Sequence, residues 1–260
     1  MRITRVSSRT AATVLLAALP ALAAVTLAGP AAAQPRPHTT AGPPALVTLR
    51  IEGANRTIFE GTVATHGHDV TTSAGGTHHC DGTNGGASAT AGGTATTALD
   101  DGARQAGFGY DGSYEAAFDD YFITRIGPDT QTATQFWGLL DNWRFTSNGG
   151  CRTRPDSGDN LLWAYDAFNK AHALRLTGPQ QVNTDQPYTV TVTDGATAAP
   201  VEGATVTGRT TDTTITRTTD AAGDATFTAT GVGVTRLKAD RSDSIRSNTW
   251  DVVAGIRPRG

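Results

Sequence analysis

The stretch Ala45-Leu-Val-Thr-Leu-Arg-Ile51 alternates apolar and polar side chains. Val47, Leu49 and Ile51 share one face and Thr48 and Arg50 the other, the period of a half-buried β-strand. Gly53-Ala54-Asn55 supplies a turn, and residues 57–63 give a second strand. In it Phe59, Gly61 and Val63 fall on one face, Ile58 and Glu60 on the other, so the two strands are expected to pair as a hairpin. Residues 96–106 carry a helical pattern, with Thr96 or Thr97 as N-cap and Asp100 and Asp101 in the first turn. Leu99, Ala103 and Ala106 form one stripe, and Gly107 is the expected C-cap. Further strands are expected at 121–126, 136–140, 143–145 and 161–165, with Asp141-Asn142 turning the middle pair. The order strand, strand, helix, strands predicts an α+β unit with the helix packed on one sheet.

Upstream of the hairpin the chain changes character. Arg2, Arg5 and Arg9 precede an apolar run over 11–27, and Ala31-Ala32-Ala33 ends it with small residues. This is the pattern of a secretory signal peptide over residues 1–33, with cleavage after Ala33 and release outside the membrane. Residues 34–45 are Pro-rich and polar, a linker. In an oxidising compartment the two cysteines, Cys80 and Cys151, are expected to form a disulfide. The chain has 21 Lys+Arg against 24 Asp+Glu, so it lacks the basic footprint of a nucleic-acid binder. After the leader, no apolar stretch approaches the ~20 residues that a membrane helix needs.

Residues 66–93 are nearly all Gly, Thr, Ser, Ala, Asn and His, and are expected to be a long loop held by Cys80. His66, His68, His78 and His79 lie there with Asp69 and Asp81, a donor set that zinc or copper accepts. The alternative is a solvated loop. Gly107-x-Gly109-x-x-Gly112 matches a dinucleotide fingerprint in letters, but it follows a helix where that motif must follow a strand. No G-x-S-x-G, H-E-x-x-H, C-x-x-C or Walker lysine occurs. Tyr110, Tyr114, Tyr121, Phe136, Trp137, Trp143 and Trp163 serve either a core or a flat-ligand platform. Asp111, Glu115 and Asp119-Asp120 are expected to be solvated acids, and Asn55-Arg56-Thr57 is a glycosylation sequon.

From residue 173 to 255 the helical signal disappears. Tyr188-Thr-Val-Thr-Val192, Ala204-Thr-Val206, Thr214-Ile-Thr216, Ala225-Thr-Phe227 and Arg236-Leu-Lys238 alternate between turn signals, as expected for an all-β sandwich.

Two resemblances follow from these segments. Val47-Thr-Leu-Arg-Ile-Glu-Gly53, Tyr121-Phe-Ile-Thr-Arg-Ile126, Phe136-Trp-Gly-Leu-Leu-Asp-Asn142 and Gly158-Asp-Asn-Leu-Leu-Trp163-Ala-Tyr165 occur in order. They resemble a bacterial domain of unknown function related to the C-terminal domain of transcobalamin and intrinsic factor. That resemblance implies a β-grasp-like fold over 46–172 and a small, corrinoid-like ligand. Pro200-Val-Glu-Gly-Ala-Thr-Val206 and Thr219-Asp-Ala-Ala-Gly-Asp-Ala-Thr-Phe-Thr228 resemble bacterial immunoglobulin-like domains of surface proteins, which implies a spacer or adhesive unit over 173–255. The expectation is therefore a secreted, non-enzymatic binding or interaction protein with an extracellular ligand or cell-surface partner, and no cofactor. A small-ligand carrier and a metal-binding protein using 66–79 are the alternatives.

Overall fold

The alternation of residues 45–51 produces a strand. In the computed structural model, which describes residues 44–255, β1 (Ala45–Glu52) pairs antiparallel with β2 (Thr57–Thr65), Leu49 opposite Gly61 and Ile51 opposite Phe59. The expected signal peptide, and the linker up to residue 43, lie outside the described residues. The expected loop at 66–93 is corrected. It holds a second hairpin, β3 (His68–Thr72) with β4 (Gly76–Cys80). Apolar alternation does not hold this hairpin. The Tyr121 hydroxyl donates to the Val70 carbonyl at 2.6 Å and accepts the His78 N–H at 3.1 Å, and the Thr72 hydroxyl donates to the Gly112 carbonyl at 2.6 Å.

Helix α1 (Ala95–Ala106) starts earlier than the residue types suggested. Thr94 is the N-cap, and its side chain and that of Thr97 each take the other's backbone N–H, a reciprocal cap. Asp100 and Asp101 therefore lie in the second turn. Ala95, Ala98, Leu99 and Ala103 face the core, whereas Ala106 is exposed. Gly102 permits the close approach to β1, because a Cβ there would lie 2.5 Å from Leu49 Cδ2. Gly107 ends the helix at φ 74°, as its type demands. Next come β5 (Tyr110–Glu115), β6 (Asp120–Ile126) and β7 (Asp129–Thr130), a small sheet, then β8 (Trp137–Asp141), β9 (Arg144–Phe145) and β10 (Asn160–Tyr165). The five-stranded sheet runs β2-β1-β10-β8-β9, with β1 and β10 parallel at its centre. Val47, Leu49, Ile51, Leu99, Leu161 and Trp163 form the core on the helix side.

The second body has β11 (His172–Thr177), β12 (Gln181–Asn183), β13 (Pro187–Asp194), β14 (Thr205–Arg209) and β15 (Thr214–Thr218). It continues with β16 (Asp224–Thr228), β17 (Gly233–Asp240), β18 (Ser244–Ile245) and β19 (Trp250–Gly255). Its two sheets, β16-β13-β11-β18 and β12-β19-β17-β14-β15, enclose Leu174, Val190, Val192, Val206, Phe227, Leu237 and Val252. The alternating side chains of each strand supply these inward positions. The described residues are mostly β, 49% in strands and 8% in helices.

The polar face of β1 was expected to meet solvent, and it does not. Leu140, Leu162, Ala164 and Ala167 on that side pack against Ala173 and Ile245 of the second body. Asn142 and Trp143 occupy the two left-handed positions of the β8–β9 turn, at φ 47° and 63°. Such turns favour Asn-Gly, and a bulky residue at positive φ is strained. Trp143 is held there by contacts across the seam. Its indole N–H donates to the Leu174 carbonyl at 3.3 Å, the Arg175 guanidinium lies 5.1 Å from its ring centroid, and a side chain at Gly195 would overlap it. Charges line the rest of the seam. Glu52, 2% exposed, lies 2.8 Å from both Lys238 Nζ and Arg246 Nε. Glu60 accepts from Lys238 at 2.9 Å and from the Thr249 N–H at 2.7 Å. Burial opposes ionisation of Glu60, but Lys238 and Thr249 outweigh it and hold the carboxyl below its ordinary value. Arg50 is 1% exposed, donates one bond to the Arg246 carbonyl at 2.7 Å, and leaves Nε and Nη2 without a hydrogen-bond partner among the described residues.

Candidate histidine and carboxylate site

The reciprocal cap at Thr94 sets the phase of α1, and that phase places Asp100, Asp101 and Arg104 beside the start of β3. His68 Nε2 lies 2.9 Å from Asp100 Oδ2, and His68 Nδ1 lies 2.9 Å from the His66 carbonyl. A carbonyl can only accept, so Nδ1 carries a proton and Nε2 is the nitrogen turned toward the carboxylates. Tyr110, from β5, donates to Asp100 Oδ1 at 2.6 Å. Arg104 pairs with Asp100 and Asp101 and comes within 3.2 Å of His68 Nε2. The His66 ring leans on the His68 ring, 5.3 Å between centroids.

These contacts shift the groups in opposite directions. Burial favours neutral His68, but the Asp100 hydrogen bond and the Asp101 charge prevail and raise its pKa. Burial also opposes the Asp100 charge, and His68, Tyr110 and Arg104 together hold its carboxyl low. Burial and the bond to Asp100 push the Tyr110 phenol up.

The four histidines do not converge. Only His66 and His68 come together, and the third donor beside them is Asp101, not Asp69 or Asp81. Ligand atoms of His66, His68 and Asp101 all lie within 4.8 Å of one another. His78 stacks face to face on Tyr114, 3.5 Å between centroids, with Nε2 3.0 Å from the Gly75 carbonyl. His79 Nε2 lies 3.8 Å from Asp119 Oδ2, while Asp81 caps a short turn through the Thr83 N–H. Asp101 was missed because its sequence context suggested only a favourable helix-dipole position.

Cys80 and Cys151 form the expected disulfide, S–S 2.03 Å, and both are fully buried. The bridge ties the end of β4 to the segment before β10. Asp120, expected to be a solvated acid, is buried and accepts the Cys151 N–H at 2.9 Å. The Gly107–Gly112 motif spans the helix C-cap and the start of β5.

Of the seven aromatics singled out from the sequence, Tyr121, Trp137 and Trp163 are core and Trp143 belongs to the seam. The exposed aromatics are others: Phe118, Phe122, Phe145 and Phe168. Phe145 and Phe168 stack on each other, 5.2 Å between centroids and 14° between planes. They sit over Gly138, on the seam side of the sheet, and Phe145 borders a groove of about 280 Å³ with Trp143, Arg144, Lys170 and His172. A second, polar cleft of about 380 Å³ lies along the seam between Glu52, Asn55, Tyr165, Lys170, Arg241 and Arg246. No helix among the described residues is long and apolar enough to cross a membrane. Compared with known protein families and with curated proteins, the chain gives no match.

Proposed function

We propose that the chain is an exported, non-enzymatic binding protein in which a β-grasp-like body and an immunoglobulin-like sandwich act as one rigid piece. The sheet order β2-β1-β10-β8-β9, parallel at its centre and covered by α1, supports the β-grasp reading. Two facing sheets around one apolar core support the immunoglobulin-like reading. The observation that carries a binding role is the Phe145–Phe168 stack. Two aromatic rings, 49% and 63% exposed, beside a groove on a sealed seam are an apolar surface without an internal partner. Several buried ionisable groups are meanwhile occupied with one another: Glu52 and Glu60 with Lys238 and Arg246, Asp100 with His68 and Arg104.

The partner class is an extracellular or cell-surface ligand that the aromatic stack contacts. Labelled protein lacking residues 1–33 is titrated onto washed cells of the producing organism, alongside Phe145→Ser/Phe168→Ser. Saturable binding that the double variant weakens about tenfold or more supports the reading, since anchoring aromatics dominate such contacts. Equal binding by both proteins refutes it. Titration with cobalamin in the absorbance spectrometer separates the corrinoid alternative, which requires a spectral change.

A further inference from the structure

The helix side of the first sheet carries a second site, independent of the aromatic stack on the seam side. We infer that His66, His68 and Asp101 bind a divalent transition-metal ion of the zinc or copper class. Their donor atoms already lie within 4.8 Å of one another. Zinc bonds of about 2.0–2.2 Å require donors nearer to ~3.5 Å apart, so the separations need close by no more than about 1 Å. His66 is exposed, whereas His68 is held on β3 and Asp101 on α1.

Three details of chemistry favour a metal over a plain ion pair. First, His68 donates Nδ1–H to the His66 carbonyl at 2.9 Å, which leaves Nε2, now donating to Asp100 Oδ2, as the nitrogen that faces a metal once it gives up its proton. Second, Asp101 keeps one carboxylate oxygen, Oδ2, buried and without a hydrogen-bond partner among the described residues. A buried carboxylate oxygen left unpaired is costly unless a cation or water reaches it. Third, the cation that now holds the carboxylates together is Arg104, whose side chain is more than half exposed. A metal replaces that guanidinium, which swings into solvent at little cost. Asp100 Oδ2, 2.9 Å from His68 Nε2 and steadied by Tyr110, is the nearest further donor. Two imidazoles and carboxylate oxygen suit zinc and copper and leave calcium and magnesium, which prefer all-oxygen sites, poorly served. His78 and His79 take no part.

The test is calorimetric titration of chelator-treated full-length mature protein with zinc chloride at neutral pH, with calcium chloride as the contrast. One zinc per chain is expected, and no saturable calcium uptake. His66→Ala and Asp101→Asn should each weaken zinc binding by about tenfold or more. Arg104→Ala should tighten it, because the competing cation is gone, whereas a structural ion pair predicts no such gain. His66→Ala removes an exposed ring, so failure to fold does not confuse the result, and His78→Ala serves as the matched control. Absence of saturable zinc binding below about 100 μM overturns the inference. So does a His78→Ala loss as large as that of His66→Ala, or wild-type affinity in Asp101→Asn.

Discussion

Replacing Glu52 with Gln should destabilise the protein by an amount set by charge counting at the seam. Arg50, Lys238 and Arg246 contribute three positive charges there, and Glu52 and Glu60 two negative ones, a net of +1. Glu52→Gln raises that to +2 in a place where the lost carboxylate is only 2% exposed and touches two cations at 2.8 Å. Removing one partner of a buried pair costs about 3–5 kcal/mol, because the remaining charge stays desolvated. Gln keeps the shape and one acceptor oxygen, which places the expected loss near 3 kcal/mol. At the described size that lowers Tm by roughly 6–12 °C. Urea unfolding, followed by tryptophan fluorescence and by far-ultraviolet circular dichroism, measures it. The decisive companion is Glu52→Gln/Lys238→Met, which restores the net charge to +1 and should recover most of the loss. A single-variant loss under about 1 kcal/mol refutes the charge argument, as does a double variant no more stable than Glu52→Gln.

Trp143→Ala should cost about 2 kcal/mol through lost packing of a partly exposed indole. Trp143→Gly should be about 1 kcal/mol more stable than Trp143→Ala in the same denaturant series, since only glycine is at ease at φ 63°. Cys80→Ser/Cys151→Ser opens a 71-residue separation and should lower unfolding free energy by about 4 kcal/mol on the chain-entropy account, with wild-type protein in reductant matching the variant. Asp141 has its carboxyl pushed up to about 6 by burial and by Asp159 and Asp156, and its Oδ1 is buried without a hydrogen-bond partner among the described residues. Such an acid costs stability once ionised, so the cost grows as pH rises from about 4 to 6 and is complete above that. At full strength the displacement is worth roughly 3 kcal/mol, and screening of a partly exposed group reduces it to about 1 kcal/mol. Thermal melts of Asp141→Asn should show that gain at pH 7 and none near pH 4.

What the sequence made legible follows from how local each signal is. The β1–β2 hairpin and the main strands of the second body obey the period of two, β8 and β10 are short continuous apolar runs buried on both faces, and a helix over 95–106 obeys its own period. β3 and β4 were hidden because their burial is nearly all borrowed. Val70, Thr72 and Cys80 are the inward residues, and partners more than thirty residues away hold them: the Tyr121 hydroxyl, the Gly112 carbonyl and Cys151. β5 was hidden by Gly112 and the polar residues around it, and the parallel pairing of β1 with β10 joins segments more than a hundred residues apart. The same holds for the candidate site. His66-x-His68 is visible as a pair, but Asp101 joins it only through the docking of α1 against β3.

Arg50 and Glu52 carry the most instructive discrepancy. On a strand with one wet face they are ordinary polar residues, and the alternation gives no reason to think otherwise. Their burial is intelligible only if the second body is a structural component of the first. A spacer needs no buried charges at its joint, since a flexible tether satisfies polar groups with water at no desolvation cost. Here a strained Trp143, a half-satisfied Arg50 and a desolvated Glu52 are all kept at the joint. Each costs free energy locally, and each makes the relative placement of the two bodies specific, because a slipped register leaves their charges unpaired. The exposed Phe145–Phe168 stack lies beside that joint, so its geometry is inherited from the seam. If the proposed binding role holds, a surface positioned in this way presents one fixed shape to its partner, and binding needs little ordering of the protein itself.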